Sequence, residues 1–273
     1  MTMLNTGDVT LHVQRLLPAN GCPPVGTAVL VHGLLTDSLA SYYFTLAPAL
    51  AAAGLDVVMY DHRGHGRSER PHSNYGLDTF ITDLDNLLTR LQITGPVHLV
   101  GNSYGGTVAF GYAARRRDKV ASLMLLESEP ATEAWANKMR SLLPRVITEL
   151  CEDEAQALAK ITRHYDARTA RLAKAASKLV RETTLLQDIP ASHVLTHSQI
   201  ASVTCPVLSV YGGDGDLAAQ APKLRSLLTD CRTIIVPGHE HSILVEAPKL
   251  LRELAVDWLI NTGLLHSQTP ESP

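Results

Sequence analysis

Seven short runs rich in Val, Leu and Ile, mostly separated by segments of helical periodicity, constrain the fold of this chain more than any other feature. The runs are VTLHVQRLL (9–17), TAVLVHG (27–33), LDVVMYD (55–61), PVHLVGN (96–102), VASLMLLES (120–128), CPVLSVYGG (205–213) and RTIIVPG (232–238). Segments 77–93, 104–117, 218–228 and 246–261 carry apolar residues at the three-to-four spacing of a helix with one buried face. This alternation predicts an α/β fold: a mostly parallel central sheet with helices on both faces. Strands covered on both faces must be apolar at nearly every position, as several of these runs are.

One interval breaks the rhythm. Between LLES (125–128) and CPVLSV (205–210) lie about 75 residues, too many for an ordinary crossover, rich in Ala, Leu, Lys and Arg. We read them as an inserted helical cap. The expected organisation is a core of residues 1–129 and 203–265, a cap of residues 130–202 and a disordered tail from 266 to 273. From Lys138 to Arg181 the insert holds ten Lys and Arg against five Asp and Glu, in a chain of formal net charge -3. Most of that excess is expected to face solvent; a sharper reading has part of it attract an anionic or carrier-tethered acyl group. Aromatic residues in the insert are few, mainly Trp135 and Tyr165.

At 273 residues, 45% of them apolar, the chain can bury a large core. Its slight acidity leaves no electrostatic footprint for nucleic acid, and no apolar run is long enough to span a bilayer, so a soluble protein without membrane attachment is expected. The start, MTMLNTGDVTLHV, lacks a basic segment followed by an apolar one, and Cys22, Cys151, Cys205 and Cys231 fall in no metal-ligand or disulfide-dense spacing. Reduced thiols in the cytoplasm are the expectation.

The chemistry is concentrated where strands give way to loops. Gly101-Asn102-Ser103-Tyr104-Gly105 is a G-x-S-x-G between a predicted strand and a predicted helix, the setting in which that motif presents a nucleophilic serine on a sharp turn. His32-Gly33 ends an early strand, so that the backbone N–H of Leu34 can point at the same place as the N–H of Tyr104. Two such donors form an oxyanion hole. DHRGHGRS (61–68) follows the next strand, with Arg63, Gly64 and Gly66 expected to fix a turn.

Taken together, these segments resemble the α/β-hydrolase family: H-G after an early strand, D-x-R-G-x-G-x-S after the next, then the nucleophile elbow. The resemblance covers residues 25–129 and 203–262 but not the cap. It implies the order nucleophile, acid, histidine. In VPGHEHSILVEAP the family's spacing to a following acid and proline is met by His241, through Glu246 and Pro248, rather than by His239. For the acid, G-x-x-D after the seventh strand favours Asp216, with Asp214 its close competitor. Some relatives take the acid from the end of the sixth strand, which makes Glu127 a third candidate.

The implied chemistry is attack by Ser103 on an activated carbonyl, with His241 as general base and the carboxylate fixing its tautomer. An acyl-enzyme follows, and water deprotonated by His241 hydrolyses it. No metal or organic cofactor is implied, and a serine at 103 argues against epoxide or haloalkane chemistry. The leading reading is an esterase, thioesterase or lactonase acting on a small-molecule or carrier-tethered acyl compound. The alternatives are a carbon–carbon bond hydrolase of the meta-cleavage-product type, suggested by G-N-S-Y-G-G, a cofactor-free haloperoxidase or perhydrolase, and a non-catalytic binder.

Overall fold

The computed structural model describes residues 2–18, 21–147 and 167–266. They form an eight-stranded sheet in the order β1-β2-β4-β3-β5-β6-β7-β8. Its strands are β1 (Thr2–Asn5), β2 (Thr10–Leu16), β3 (Thr27–Val31), β4 (Asp56–Tyr60), β5 (Val97–Asn102), β6 (Val120–Leu126), β7 (Val207–Gly212) and β8 (Cys231–Val236). β2 is antiparallel to both β1 and β4, and all the other pairings are parallel. The seven apolar runs become β2 to β8. β1 escapes the pattern because TMLN is short, mostly exposed and paired only with β2, so no apolar period marks it.

Residues alternate between two cores along each central strand. Val29, Val31, Val58, Leu99, Leu123 and Leu125 face one side, where they pack with Phe80 and Leu84 of the helix Leu77–Arg90 and Val108 and Tyr112 of the helix Tyr104–Arg115. Leu30, Met59, Val100, Met124 and Leu126 face the other, against Leu50 of the helix Ala47–Ala52 and Leu251 and Trp258 of the helix Pro248–His266. Full burial of each such side chain contributes roughly 1.5–3 kcal/mol, so the two layers hold the helices against the sheet.

Element ends differ from the sequence reading in ways the residues explain. The segment 218–228 opens as a 3₁₀ turn, Asp216–Gln220, before the helix Ala221–Leu227. The last helix starts at Pro248, whose fixed φ and missing N–H suit a first helical position, and it runs to His266, one residue past the expected boundary of the tail. The rest of that tail, 267–273, lies outside the described residues.

Between β6 and β7 the described chain is largely helical: Glu133–Ile147, Ala167–Glu182, Leu185–Asp188 and His197–Ala201. Residues 148–166, with Cys151 and Tyr165, lie outside the described residues. Backbone donors tie this excursion to the sheet domain. Thr184 N–H reaches His72 O at 2.9 Å, Tyr75 N–H reaches Asp188 Oδ2 at 2.9 Å, and Leu77 N–H reaches Ser192 Oγ at 2.8 Å. Among the described residues, no helix is long and apolar enough to cross a membrane.

Because β3, β5, β6, β7 and β8 are parallel neighbours, their carboxyl ends lie along one edge of the sheet. Open α/β sheets bind ligands at that edge.

Candidate active site

The turn from β5 into the helix Tyr104–Arg115 is a single residue, Ser103, with φ 53° and ψ -125°. A non-glycine residue holds such a conformation only where its surroundings impose it. Ser103 N–H is tied to Leu126 O at 2.8 Å, and small neighbours let the helix approach the strands. A Cβ on Gly101 would stand 2.4 Å from Gly106 Cα, and one on Gly105 would stand 2.0 Å from Val31 O. The glycines flanking the serine are therefore a packing requirement.

His241 follows β8 in the loop before the short helix Ile243–Glu246. Its Nε2 lies 2.9 Å from Ser103 Oγ. Its Nδ1 lies 3.3 Å from Oε2 of Glu127, a residue only 1% exposed. The carboxylate can only accept, so Nδ1 carries the proton and Nε2 is left as the acceptor for the serine hydroxyl. Glu127 directly follows β6, has φ 48°, bonds its N–H to Val210 O at 2.9 Å and accepts Gly212 N–H on Oε1. His239 is half-buried and turned away, its Nδ1–H on Pro237 O at 2.9 Å.

The carboxylate beside His241 is thus Glu127, which corrects the preference for Asp216 drawn from spacing. Asp216 opens the 3₁₀ turn and, like Asp214, stands exposed on the cavity wall; among the described residues neither is hydrogen-bonded to His241. At the end of β7 it is backbone that meets the loop before His241. Gly212 packs so closely on the loop before His241 that a Cβ would stand 2.3 Å from His239 O, and Asp214 N–H bonds that same oxygen at 3.0 Å. The left-handed turn at Glu127 supplies a carboxylate from beneath instead.

Leu34 and Tyr104 both line the cavity at Ser103, and among the described residues neither N–H has a protein acceptor. The amides flanking Leu34 are both claimed by side chains: Gly33 N–H by Asp37 Oδ2 at 2.7 Å and Leu35 N–H by His65 Nε2 at 2.9 Å. Sequence reasoning passed over Asp37 and His65; the extra histidine inside DHRGHGRS was the one available signal. That segment's other residues anchor the turn. Arg63 makes a buried bidentate pair with Asp83 at 2.6 and 2.7 Å, and Asp61 accepts from Leu39 N–H and Arg67 N–H, each at 2.9 Å.

Two cavities meet at Ser103 and His241. One, of about 550 Å³, is walled by Leu35, Trp135, Met139, Leu142, Leu143 and Leu217, with Glu129 and Lys138 paired at 3.0 Å on its side. The other, of about 460 Å³, is lined by Thr36, Asp37, Ser41 and Thr45 among others. Trp135 is buried and stacked on Tyr104. Arg140, Arg145, Arg171, Lys174, Lys178 and Arg181 of the helical excursion are exposed; of the described basic residues from Lys138 to Arg181, only Lys138 lines the larger cavity.

The chain matches the family model described as alpha/beta hydrolase fold over residues 27–248. It is 28% identical to a monoacylglycerol lipase of Mycolicibacterium smegmatis over 268 residues, covering 87% of this chain and 89% of the lipase. A non-heme chloroperoxidase of Streptomyces lividans is 35% identical over 77 residues, a match that covers only 28% of either protein. The crystal structure of an enol-lactonase from Burkholderia xenovorans superposes with a TM-score of 0.71 at 21% identity, covering 93% of this chain and 98% of that one, and shows the shared fold. With its mostly parallel sheet, strand-to-helix serine turn and match over most of its length, the chain belongs to the alpha/beta hydrolase fold family and is a hydrolase-fold enzyme.

Proposed function

We propose that this protein is a serine hydrolase that cleaves carboxylic esters, or thioesters and lactones of like size, through an acyl-enzyme on Ser103. The observation that carries the reading is the chain of contacts Ser103 Oγ to His241 Nε2 at 2.9 Å and His241 Nδ1 to buried Glu127 at 3.3 Å. As Oγ attacks the substrate carbonyl, its proton passes to Nε2, and Glu127 stabilises the imidazolium that forms. The carbonyl oxygen gains charge and is met by the N–H groups of Leu34 and Tyr104, each donor being worth roughly 10²–10³ in rate. Nε2–H then protonates the leaving group. Water enters, gives a proton to Nε2 and attacks the acyl carbon, and collapse of the second tetrahedral species returns Ser103 Oγ with its hydrogen.

Residues 130–202 act in this reading as a cap that selects substrate, its first helix supplying Trp135, Met139, Leu142 and Leu143 to the apolar wall. A small or medium apolar acyl group fits that wall. The only cation on it, among the described residues, is Lys138, already neutralised by Glu129, so the basic surplus of the cap gives no support to a charged carrier. The name of the mycobacterial relative, a monoacylglycerol lipase, points to esters. Free thiols at Cys22, Cys205 and Cys231 suit a reducing compartment such as the cytoplasm.

Labelling with a fluorophosphonate and a screen of acyl p-nitrophenyl esters, acyl thioesters, lactones and vinylogous diketones test the proposal. Labelling that vanishes in Ser103→Ala, with turnover of at least one ester class, is the expected outcome. Turnover of the diketones alone indicates a carbon–carbon hydrolase, and a Ser103→Ala protein with near-wild-type activity ends the serine mechanism. The chloroperoxidase match favours one second reading: hydrogen peroxide replacing water on the same acyl-enzyme, which a peracid assay in acetate buffer distinguishes.

A further inference from the structure

Three almost fully buried histidines, His32, His62 and His65, pack behind the loop that follows β3, with ring centroids 4.4 Å apart for His32 and His62 and 5.4 Å apart for His32 and His65. None of them takes part in the proton transfers proposed above. Their hydrogen bonds fix each tautomer. His65 Nε2 accepts from Leu35 N–H at 2.9 Å, which leaves its proton on Nδ1, where it donates to Arg63 O at 2.9 Å. His32 Nε2 accepts from His62 N–H at 2.9 Å, so its Nδ1–H donates to Gly33 O at 2.6 Å. His62 Nε2–H donates in turn to His32 O at 2.9 Å. In this arrangement all three rings are neutral.

The loop they support has an unusual conformation. Leu35 has φ 63°, which a leucine adopts only when its environment enforces it. The enforcing contact is the bond from its own N–H to His65. On the other side of Leu34, Gly33 N–H is held by Asp37, whose carboxylate also takes Ser38 N–H at 2.8 Å and Asn102 Nδ2 at 3.2 Å. The peptide carrying Leu34 N–H is thereby gripped at both ends, and that N–H alone of the three has no acceptor among the described residues.

We propose that His65 is a positioning residue for the oxyanion loop: its neutral imidazole bridges Arg63 O and Leu35 N–H and, opposite Asp37, aims Leu34 N–H at the substrate carbonyl oxygen. The inference rests on the acyl-enzyme reading. His65 suits the task because the turn it belongs to is itself anchored by the buried Arg63–Asp83 pair, so the loop inherits the rigidity of the sheet domain. A preorganised donor acts only if its direction is fixed before the charge develops. Burial, and next the neighbouring His32, push the His65 imidazole down to about 3, which keeps the Nε2 lone pair available well into the acid range.

The test compares His65→Gln, whose longer amide can still place an acceptor near the Nε2 position, with His65→Asn, which cannot reach Leu35. With p-nitrophenyl butyrate, His65→Asn is expected to lose roughly tenfold to a hundredfold in kcat, with KM within threefold, and affinity for a boronic acid transition-state analogue should fall in parallel. His65→Gln is expected to recover most of both. Imidazole ¹⁵N NMR of the wild-type protein gives an arm that depends neither on activity nor on a variant's folding: His65 should show a protonated Nδ1 and an unprotonated Nε2 from pH 8 to pH 5. Equal kcat in the two variants, losses that merely follow the folded fraction, or a protonated Nε2 in the wild type overturns the proposal. A wild-type enzyme that turns over no ester and escapes fluorophosphonate overturns the acyl-enzyme reading instead, while the NMR result still decides the contact.

Discussion

Three of the five non-glycine residues with positive φ, among the described residues, sit at the proposed reaction centre: Leu35, Ser103 and Glu127. Each costs on the order of 1 kcal/mol or more, and each shapes one part of the site: Leu35 the loop that presents Leu34 N–H, Ser103 the hydroxyl, and Glu127 the carboxylate beside His241. For Glu127 the consequence is measurable. Glu127→Gln keeps the shape and a bond from Gly212 N–H but removes the charge that supports the imidazolium, so kcat should fall by about 10⁴ with little change in KM. Asp216→Asn and Asp214→Asn, exposed and unbonded to His241, should stay within about threefold of wild type. Stopped-flow acylation rates for the three variants check the ranking. If Asp216→Asn proves the worst, the contact at 3.3 Å is not the working one.

At the scale of elements, the site depends on how closely the helix Tyr104–Arg115 can lie against β3. Gly105→Ala places a methyl 2.0 Å from Val31 O and 2.4 Å from His32 O, so either the helix lifts or the loop after β3 shifts. We expect a loss of roughly 3 kcal/mol or more, read as a drop in Tm of about 6–12 °C, together with most of the activity. Gly95→Ala, with nothing within 4 Å, is the control and should be neutral. The same closeness explains what could be read in advance. The elbow, the H-G loop and strands β2 to β8 were legible because each leaves a local mark: small residues where backbones touch, and apolar runs where both faces are covered. The acid was not legible. Its identity turns on whether β6 or β7 bends toward His241, and that is decided by the left-handed turn at Glu127, bonded to Gly212 85 residues away, and by the packing of Gly212 on His239 O, contacts that no local pattern marks. β1 was missed for the opposite reason, since an exposed edge strand needs no apolar period.

For the whole molecule, the buried histidines couple the fold to pH. His65 lies at about 3 and His62 well below its ordinary 6.5, burial being the main cause for both, with His32 next. The groups that face them are His32, Asp37 and Asp61 around His65, and His32, His65 and Arg63 around His62. A lowered native pKa means that the unfolded chain takes up protons that the native state refuses. Stability from these groups is therefore complete above about pH 6.5 and declines as pH falls, by about 1.4 kcal/mol per pH unit for each histidine, until the native state itself is protonated near the lowered values. Between pH 6.5 and pH 5.0 carboxylates of ordinary pKa are ionised in both states, so His65 should remove roughly 1.6 kcal/mol across that window, and His62 acts in the same direction. This is a measurable share of the 5–15 kcal/mol typical of a folded domain, so the fold should weaken, while still holding, in mild acid. Urea titrations at pH 7.5, 6.5, 5.75 and 5.0 measure the slope, and His65→Gln, which cannot titrate, should reduce it whatever its own stability. A stability that stays level from pH 6.5 to pH 5.0, or a His65→Gln slope equal to that of the wild type, would show that these imidazoles titrate normally in the folded enzyme.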